Sequence, residues 1–309
     1  MLYESLSNIT HDHSATTIAT DHRDSHCDNP NMASTHVHSS EAWDSHAGKW
    51  QSSVQRITLA PCTALLDQTS SILPLSSPNA RILDDGAGSG QLTGIVKSRY
   101  PNLPIVASDI SKDMLATLDE TAQRESWENT RTIVQDAQNL KDLEDGSFSH
   151  VLCTFVISFT ADPQKSICEM HRVLHPGGVV GLATWSKISW VPIWEAAVHQ
   201  VQGSTDYRAP DLFHPDTLSV ADVKKAMETA GFKDINVEPF ECFHPEKTVD
   251  GAVDEFYGMG NPSIKLLMRV FDYDFIEQTK PHFRAAYDRC YEGGKKGQFE
   301  VAILAVGMK

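Results

Sequence analysis

The segment Arg81-Ile82-Leu83-Asp84-Asp85-Gly86-Ala87-Gly88-Ser89-Gly90 runs from a short strand pattern into a glycine-rich turn that opens a helix. Glycines at such a turn let the backbone bend sharply and let a ligand approach without meeting a Cβ. The dinucleotide pattern G-x-G-x-x-G fails: counted from Gly86 its sixth position is Gln91, and counted from Gly88 it is Thr93. A carboxylate at Asp84 suits a ligand with an ammonium group and repels a diphosphate. Asp109 follows 25 residues later, at the end of the next strand pattern, where it can accept from both ribose hydroxyls of a nucleoside. Its rival role is to cap the next helix, a place that Ser111 already fills. Asp136, in Val134-Gln135-Asp136-Ala137, follows a third strand pattern. It can take an adenine amino group while the next amide reads a ring nitrogen; its rival role is that of a plain loop acid. Three acids after three successive strands mark the carboxyl edge of a sheet, where open α/β folds bind ligands.

These residues need elements to hold them. Trp43, Ala47, Trp50, Val54 and Ile57 share one helical face, with Ser39 or Ser40 as cap, Pro61 as the stop and a second short helix over 62–71. From Ala80 the patterns alternate. Strands are expected at 81–84, 105–108, 132–134, 149–156 and 179–184, and helices at 91–99, 112–125 and 163–174. Met170-His171-Arg172-Val173-Leu174-His175-Pro176-Gly177-Gly178 ends a helix and turns tightly into the fifth strand. A helix over 219–230 with Gly231 as its stop, a strand over 234–240 and a strand over 298–306 follow. The last two are separated by helical patterns near 248–258, 262–278 and 281–292, far more chain than a hairpin needs, so this insertion is expected to cap something.

L-D-D-G-A-G-S-G, then S-D-I-S, then Q-D-A, then R-V-L-H-P-G-G, in that order, resembles the class I S-adenosylmethionine-dependent methyltransferases. The likeness is greatest to the small-molecule branch of ubiquinone/menaquinone-type enzymes and fungal secondary-metabolite tailoring enzymes, and it covers 80–186 most strongly. It implies a Rossmann-like α/β sheet of order 3-2-1-4-5-7-6 with strand seven antiparallel, and S-adenosyl-L-methionine as cofactor. Carried over, Asp84, Gly86, Gly88 and Gly90 belong to the methionine end. Asp109 belongs to the ribose, Asp136 and Ala137 to the adenine, and Cys153 and Thr154 to the region near the sulfonium, with Ile110 also among the cofactor-binding residues. Asp85 departs from the pattern, which has an apolar residue there. The implied organisation is a His/Ser-rich tail over 1–38 and a methyltransferase domain over 39–309. That domain comprises lid helices (39–72), a cofactor-binding core (80–186) and substrate-cap insertions (187–218 and 241–297).

Methyl transfer from a sulfonium needs a general base only for an acceptor of high pKa. His46, between Trp43 and Trp50, and His214, in Leu212-Phe213-His214-Pro215, are the candidates, each with a plain surface or loop histidine as its rival reading. His199 is expected on an exposed helix face, and His171 and His175 belong to the turn. Trp185, Trp190, Trp194, Tyr207, Phe213, Phe256, Tyr257, Phe271 and Tyr273 lie where a lid should be. They either pack the inserted helices or wall an apolar pocket. A small hydrophobic acceptor, methylated on oxygen, is the leading expectation. Nitrogen, sulfur or carbon acceptors, and a cofactor-binding protein that cyclises a substrate or regulates a partner, stand as alternatives.

Composition bounds the rest. With 26 Lys+Arg against 41 Asp+Glu the 309-residue chain carries −15, which argues against nucleic acid or anionic membrane as partner. No apolar run is long enough to span a bilayer, and the first residues lack the basic start and apolar stretch of a signal peptide. The 6 scattered cysteines are expected as reduced thiols, the location as cytoplasmic and the assembly as a monomer or homodimer. Seven of the 14 histidines precede residue 47. His22, His26 and Cys27 lack zinc-type spacing, so no metal is expected, and the tail is read as too polar to fold.

Overall fold

The computed structural model describes residues 39–44, 47–243, 248–258, 262–292 and 299–309. All belong to the unit Ala33–Lys309; residues 1–38 and His46 are not among them, so the expectations for the tail and for His46 lie outside the described residues.

In chain order the elements are helices α1 (Ser40–Asp44) and α2 (Ala47–Ile72), strand β1 (Ile82–Asp85), α3 (Gln91–Arg99), β2 (Ile105–Asp109), α4 (Lys112–Arg124), β3 (Thr130–Val134) and β4 (Phe148–Thr154). There follow α5 (Pro163–Val173), β5 (Leu174–Lys187), α6 (Trp190–Gln202), α7 (Val220–Ala230), β6 (Lys233–Phe243), α8 (Val249–Gly258), α9 (Pro262–Met268), α10 (Tyr273–Tyr291) and β7 (Phe299–Met308). The sheet runs β3-β2-β1-β4-β5-β7-β6, the expected order. β7 is antiparallel to both β5 and β6, and the other pairings are parallel. The order reverses between β1 and β4, which opens a crevice at their carboxyl ends.

The central strands are apolar because both of their faces are covered. Leu83, Phe148, Val151, Cys153, Val180 and Leu182 are fully buried in one cluster with Ile167 and Met170 of α5. On the other face Cys62 and Leu66 of α2 meet Ile82, Leu92 and Ile105. At the end of α3, Lys97 is 3 % exposed, and its ammonium donates to the carbonyls of Pro101, Leu103 and Glu128. Burial lowers its pKa. Ser111, Ser219 and Asp272 each cap a helix by accepting a backbone N–H, and Gly231, at φ 96°, stops α7.

Two expected breaks are absent. Pro61 lies inside α2 and Pro281 inside α10. An interior proline costs about 3 kcal/mol. Burying one leucine contributes roughly 1.5–3 kcal/mol, and α2 buries both Leu65 and Leu66 just past the proline. In α10 Phe283, Ala286, Tyr287 and Tyr291 do the same, and the true start is set by Asp272, whose carboxylate accepts from Phe275 N at 2.8 Å. β5 begins at Leu174, directly after α5, so the Pro176-Gly177-Gly178 turn lies within its irregular first residues.

The inserted helices make a second core. Trp194, Phe256, Phe283 and Tyr287 pack together with Trp190, Tyr207, Phe213 and Phe271 at their edges. Trp194 Nε1 donates to Tyr207 Oη at 3.1 Å. Most of the lid aromatics therefore pack the cap itself, whereas Tyr273 is 74 % exposed. His199 is half-buried and its Nε2 lies 2.8 Å from the carbonyl of Tyr207, so it does not sit on an open face. No described helix is long and apolar enough to cross a membrane.

Candidate functional site

A cleft of about 1040 Å³, its open mouth included, lies at the carboxyl ends of β1 to β4 and is closed over by α1 and α2. Gly86, Gly88, Asp109, Ile110, Asp136, Ala137 and Thr154 line it, seven of the residues singled out from the sequence.

The glycine turn is left-handed at Gly88, φ 55°, and a Cβ built there would meet nothing within 4 Å. It would project into space that a ligand can use. Asp109 is anchored by its neighbours: Gly88 N donates to Oδ2 and Ser111 N to Oδ1, each at 2.8 Å. A carboxylate oxygen has room for a further donor, so both oxygens can still accept. Burial, opposed by these hydrogen bonds, raises the Asp109 pKa. Asp136 is braced by Gln138, whose backbone N–H donates to Oδ1 at 2.8 Å and whose amide lies 3.1 Å from both oxygens.

Other sequence candidates stand elsewhere. Asp84 is 1 % exposed and does not line the cleft. Its Oδ2 accepts from Thr93 N at 3.0 Å and Thr93 Oγ1 at 2.6 Å, so it ties β1 to the first turn of α3. Gly90 is also out of the cleft; a Cβ there would come 2.7 Å from Leu118 Cγ, so its glycine serves the approach of α4. Cys153 is fully buried in the core and turned away, because neighbouring strand residues face opposite sides and Thr154 takes the cleft side. Burial pushes its thiol pKa well up. His214 is removed from the site as well. It caps the short turn Pro215–Thr217, where Asp216 N donates to its Nδ1 at 3.3 Å. Asp85, the departure from the family pattern, is 1 % exposed, with Ser108 Oγ donating to its Oδ1 at 2.9 Å. Burial raises Asp84 and Asp85 each to about 7.

Several lining residues had not been singled out. Gln135 is 6 % exposed and lines the cleft, yet neither its amide nitrogen nor its amide oxygen has a partner among the described residues. Its adjacency to Asp136 is the signal that could have found it. Phe155 and Phe159, from the segment after β4, and Trp43 of α1 form an aromatic end. Phe155 holds a left-handed backbone, φ 61°. This costs a non-glycine residue about 1–2 kcal/mol. Its N–H donates to Ala183 O at 2.7 Å and its ring stacks on Trp185, centroids 4.3 Å apart, which fixes the strained shape. Thr58 of α2 donates to Gln91 Oε1 at 2.5 Å and closes the wall beside them. Among the described residues no group of three His, Cys, Asp or Glu side chains could hold a metal ion.

The open cradle at Gly88, the spare acceptor capacity of Asp109 and the buried unpartnered amide of Gln135 fit a polar, nucleoside-bearing cofactor. Residues 83–182 match the family model described as a methyltransferase domain. Methyltransferase ucsB from Acremonium sp is 27 % identical over 214 residues, 64 % of this chain and 71 % of that protein. The malonyl-[acyl-carrier protein] O-methyltransferase of Marinomonas sp. (strain MWYL1) is 33 % identical over 132 residues, 43 % of this chain, which spans about half, 47 %, of that protein's length. The YcgJ protein of Bacillus subtilis shares the fold with TM-score 0.51 at 17 % identity, covering 81 % of this chain and 98 % of its own. Sheet order and the matched domain converge: over residues 83–182 the chain carries a methyltransferase domain on the class I, S-adenosylmethionine-binding fold.

Proposed function

We propose that the protein methylates a small hydrophobic metabolite, on oxygen, in secondary metabolite biosynthesis. The observation that carries this reading is the two-ended cleft, polar at Asp109, Gln135 and Asp136 and aromatic at Trp43, Phe155 and Phe159. The likeness to the malonyl-[acyl-carrier protein] O-methyltransferase supports oxygen as the acceptor.

S-adenosylmethionine, when bound, supplies a methyl group already activated by its sulfonium. The chain's own work is therefore alignment and exclusion of water. Gly88 leaves room for the methionine end, whereas Gly86 admits the close approach of Val156, whose Cγ2 would lie 2.2 Å from a Cβ there. Asp109, with Ile110 beside it, accepts from the ribose hydroxyls, and Asp136 with the Ala137 amide reads the adenine. Thr154 faces the region where transfer takes place, and the three aromatic rings desolvate the acceptor. An acceptor of high pKa needs a base; His46, outside the described residues, keeps that role in this reading, and His214 does not.

Mass spectrometry of metabolites in cells lacking the protein tests the reading. An apolar compound that accumulates one methylene lighter than its normal successor is expected, and fragmentation locates the missing methyl. Accumulation of a charged, polar precursor would contradict the hydrophobic assignment, and a methyl lost from nitrogen, sulfur or carbon would replace oxygen as the acceptor.

A further inference from the structure

Helix α1 reaches both walls of the cleft. On one side Trp43 packs edge-on to Phe159, ring centroids 5.3 Å apart at 78°. On the other, one residue along, Asp44 Oδ1 accepts from Ser111 Oγ at 2.6 Å and from Asp113 N at 3.3 Å. Ser111 is a junction. Its N–H donates to Asp109 Oδ1 at 2.8 Å, and its hydroxyl oxygen accepts from Met114 N at 3.1 Å as the cap of α4. Trp43, Asp109, Met114 and Phe159 all line the cleft. A five-residue helix has little stability of its own, so its place depends on such contacts. The bond to Asp44 is charge-assisted, and its carboxylate sits at the N-terminus of α4, where the helix dipole favours negative charge.

We propose that the Asp44–Ser111 hydrogen bond is a latch that fastens α1 across the cleft and couples this closure to Asp109, so that Asp44 is a positioning residue governing release of the cofactor product. The proposal rests on the reading of Asp109 as the ribose acceptor. A ligand held under Trp43 is retained while Trp43 packs on Phe159, and α1 stays across the cleft while Asp44 holds Ser111. Ser111 in turn fixes the Asp109 carboxylate from the opposite side to Gly88, so a well-placed Asp109 and a closed strap favour each other.

The test compares the full chain with Asp44→Ala and Asp44→Asn. Release of S-adenosylhomocysteine is followed by stopped-flow displacement, and amide hydrogen exchange over 40–44 by mass spectrometry, with and without that ligand. Asp44→Ala is expected to speed release about tenfold, the worth of one hydrogen bond to a charged group, and to raise exchange over 40–44 in the bound protein. Asp44→Asn keeps an acceptor oxygen and restores most of the parent behaviour. Parent-like release from Asp44→Ala would overturn the latch. So would Asn behaving like Ala, or exchange rising throughout α4 and β2 rather than in the strap. If the parent protein binds no S-adenosylhomocysteine, the cofactor reading of Asp109 fails instead. Exchange over 40–44 in the free proteins then still decides whether Asp44 fastens the strap.

Discussion

Asp109 spends each carboxylate oxygen once on an internal N–H and keeps the remaining capacity for a ligand. Asp109→Ala removes the acceptor and frees the Gly88 and Ser111 amides. Affinity for S-adenosylhomocysteine, measured by calorimetry, is expected to fall about a hundredfold, the scale of two hydrogen bonds to a charged group. Gln135 poses a different case. An amide buried with no partner destabilises the free protein and is rewarded only by a ligand. Gln135→Leu is therefore expected to leave the melting temperature of the free protein unchanged or raised, while weakening S-adenosylhomocysteine about tenfold. A lowered melting temperature with unchanged affinity would assign the amide to the scaffold. The acids after β2 and β3 were legible because their type and spacing carry chemistry. Cys153 was not, because spacing marks the end of a strand but not which of two neighbouring residues faces the cleft.

Helices α2 and α10 show how tertiary burial overrides a local breaker. In α2 the residues after Pro61 are fixed by the sheet, which Leu65 and Leu66 reach only if the helix continues. Pro61→Ala restores an N–H that can donate to the Ile57 carbonyl one turn back. It is expected to raise the melting temperature, since an interior proline costs about 3 kcal/mol and the unfolded chain regains only about 0.4–1 kcal/mol of flexibility. A lowered melting temperature would mean that the proline ring, itself buried, is a packing element. The strands and the helices of the βα units were readable from apolar runs and caps alone, as with Ser111 before α4 and Gly231 after α7. The inserted helices were readable only as excess chain, over 187–218 and between β6 and β7. Their aromatic residues look alike whether they pack one another or line a pocket, and only the packing of Trp194 against Phe256 and Phe271 decides.

At the scale of the whole molecule, two fully buried acids sit in the middle of the sheet. Asp84 and Asp85 are each raised to about 7 by burial, whereas in the unfolded chain they ionise near the ordinary value of 3.8. Their folded-state pKa is above the unfolded one, so the folded protein holds these protons where the unfolded chain has lost them. Stability from this source is present at low pH and is lost as pH rises towards and through 7. The ligand-free protein is expected to melt at a lower temperature at pH 8 than at pH 6, and Asp85→Leu, which restores the family's apolar residue, is expected to flatten that dependence. Equal slopes in the two proteins would contradict it. The acidity of the chain, −15 overall, includes two interior carboxyls that are better neutral. The central claim, transfer of a methyl group to a small apolar acceptor, is tested most directly by supplying S-adenosylmethionine labelled in its methyl group together with a small-molecule extract. Label appearing in an apolar product, and only with intact protein, is the expected result. A product that forms while all the label stays on the cofactor would contradict methyl transfer and leave cofactor-supported cyclisation in its place.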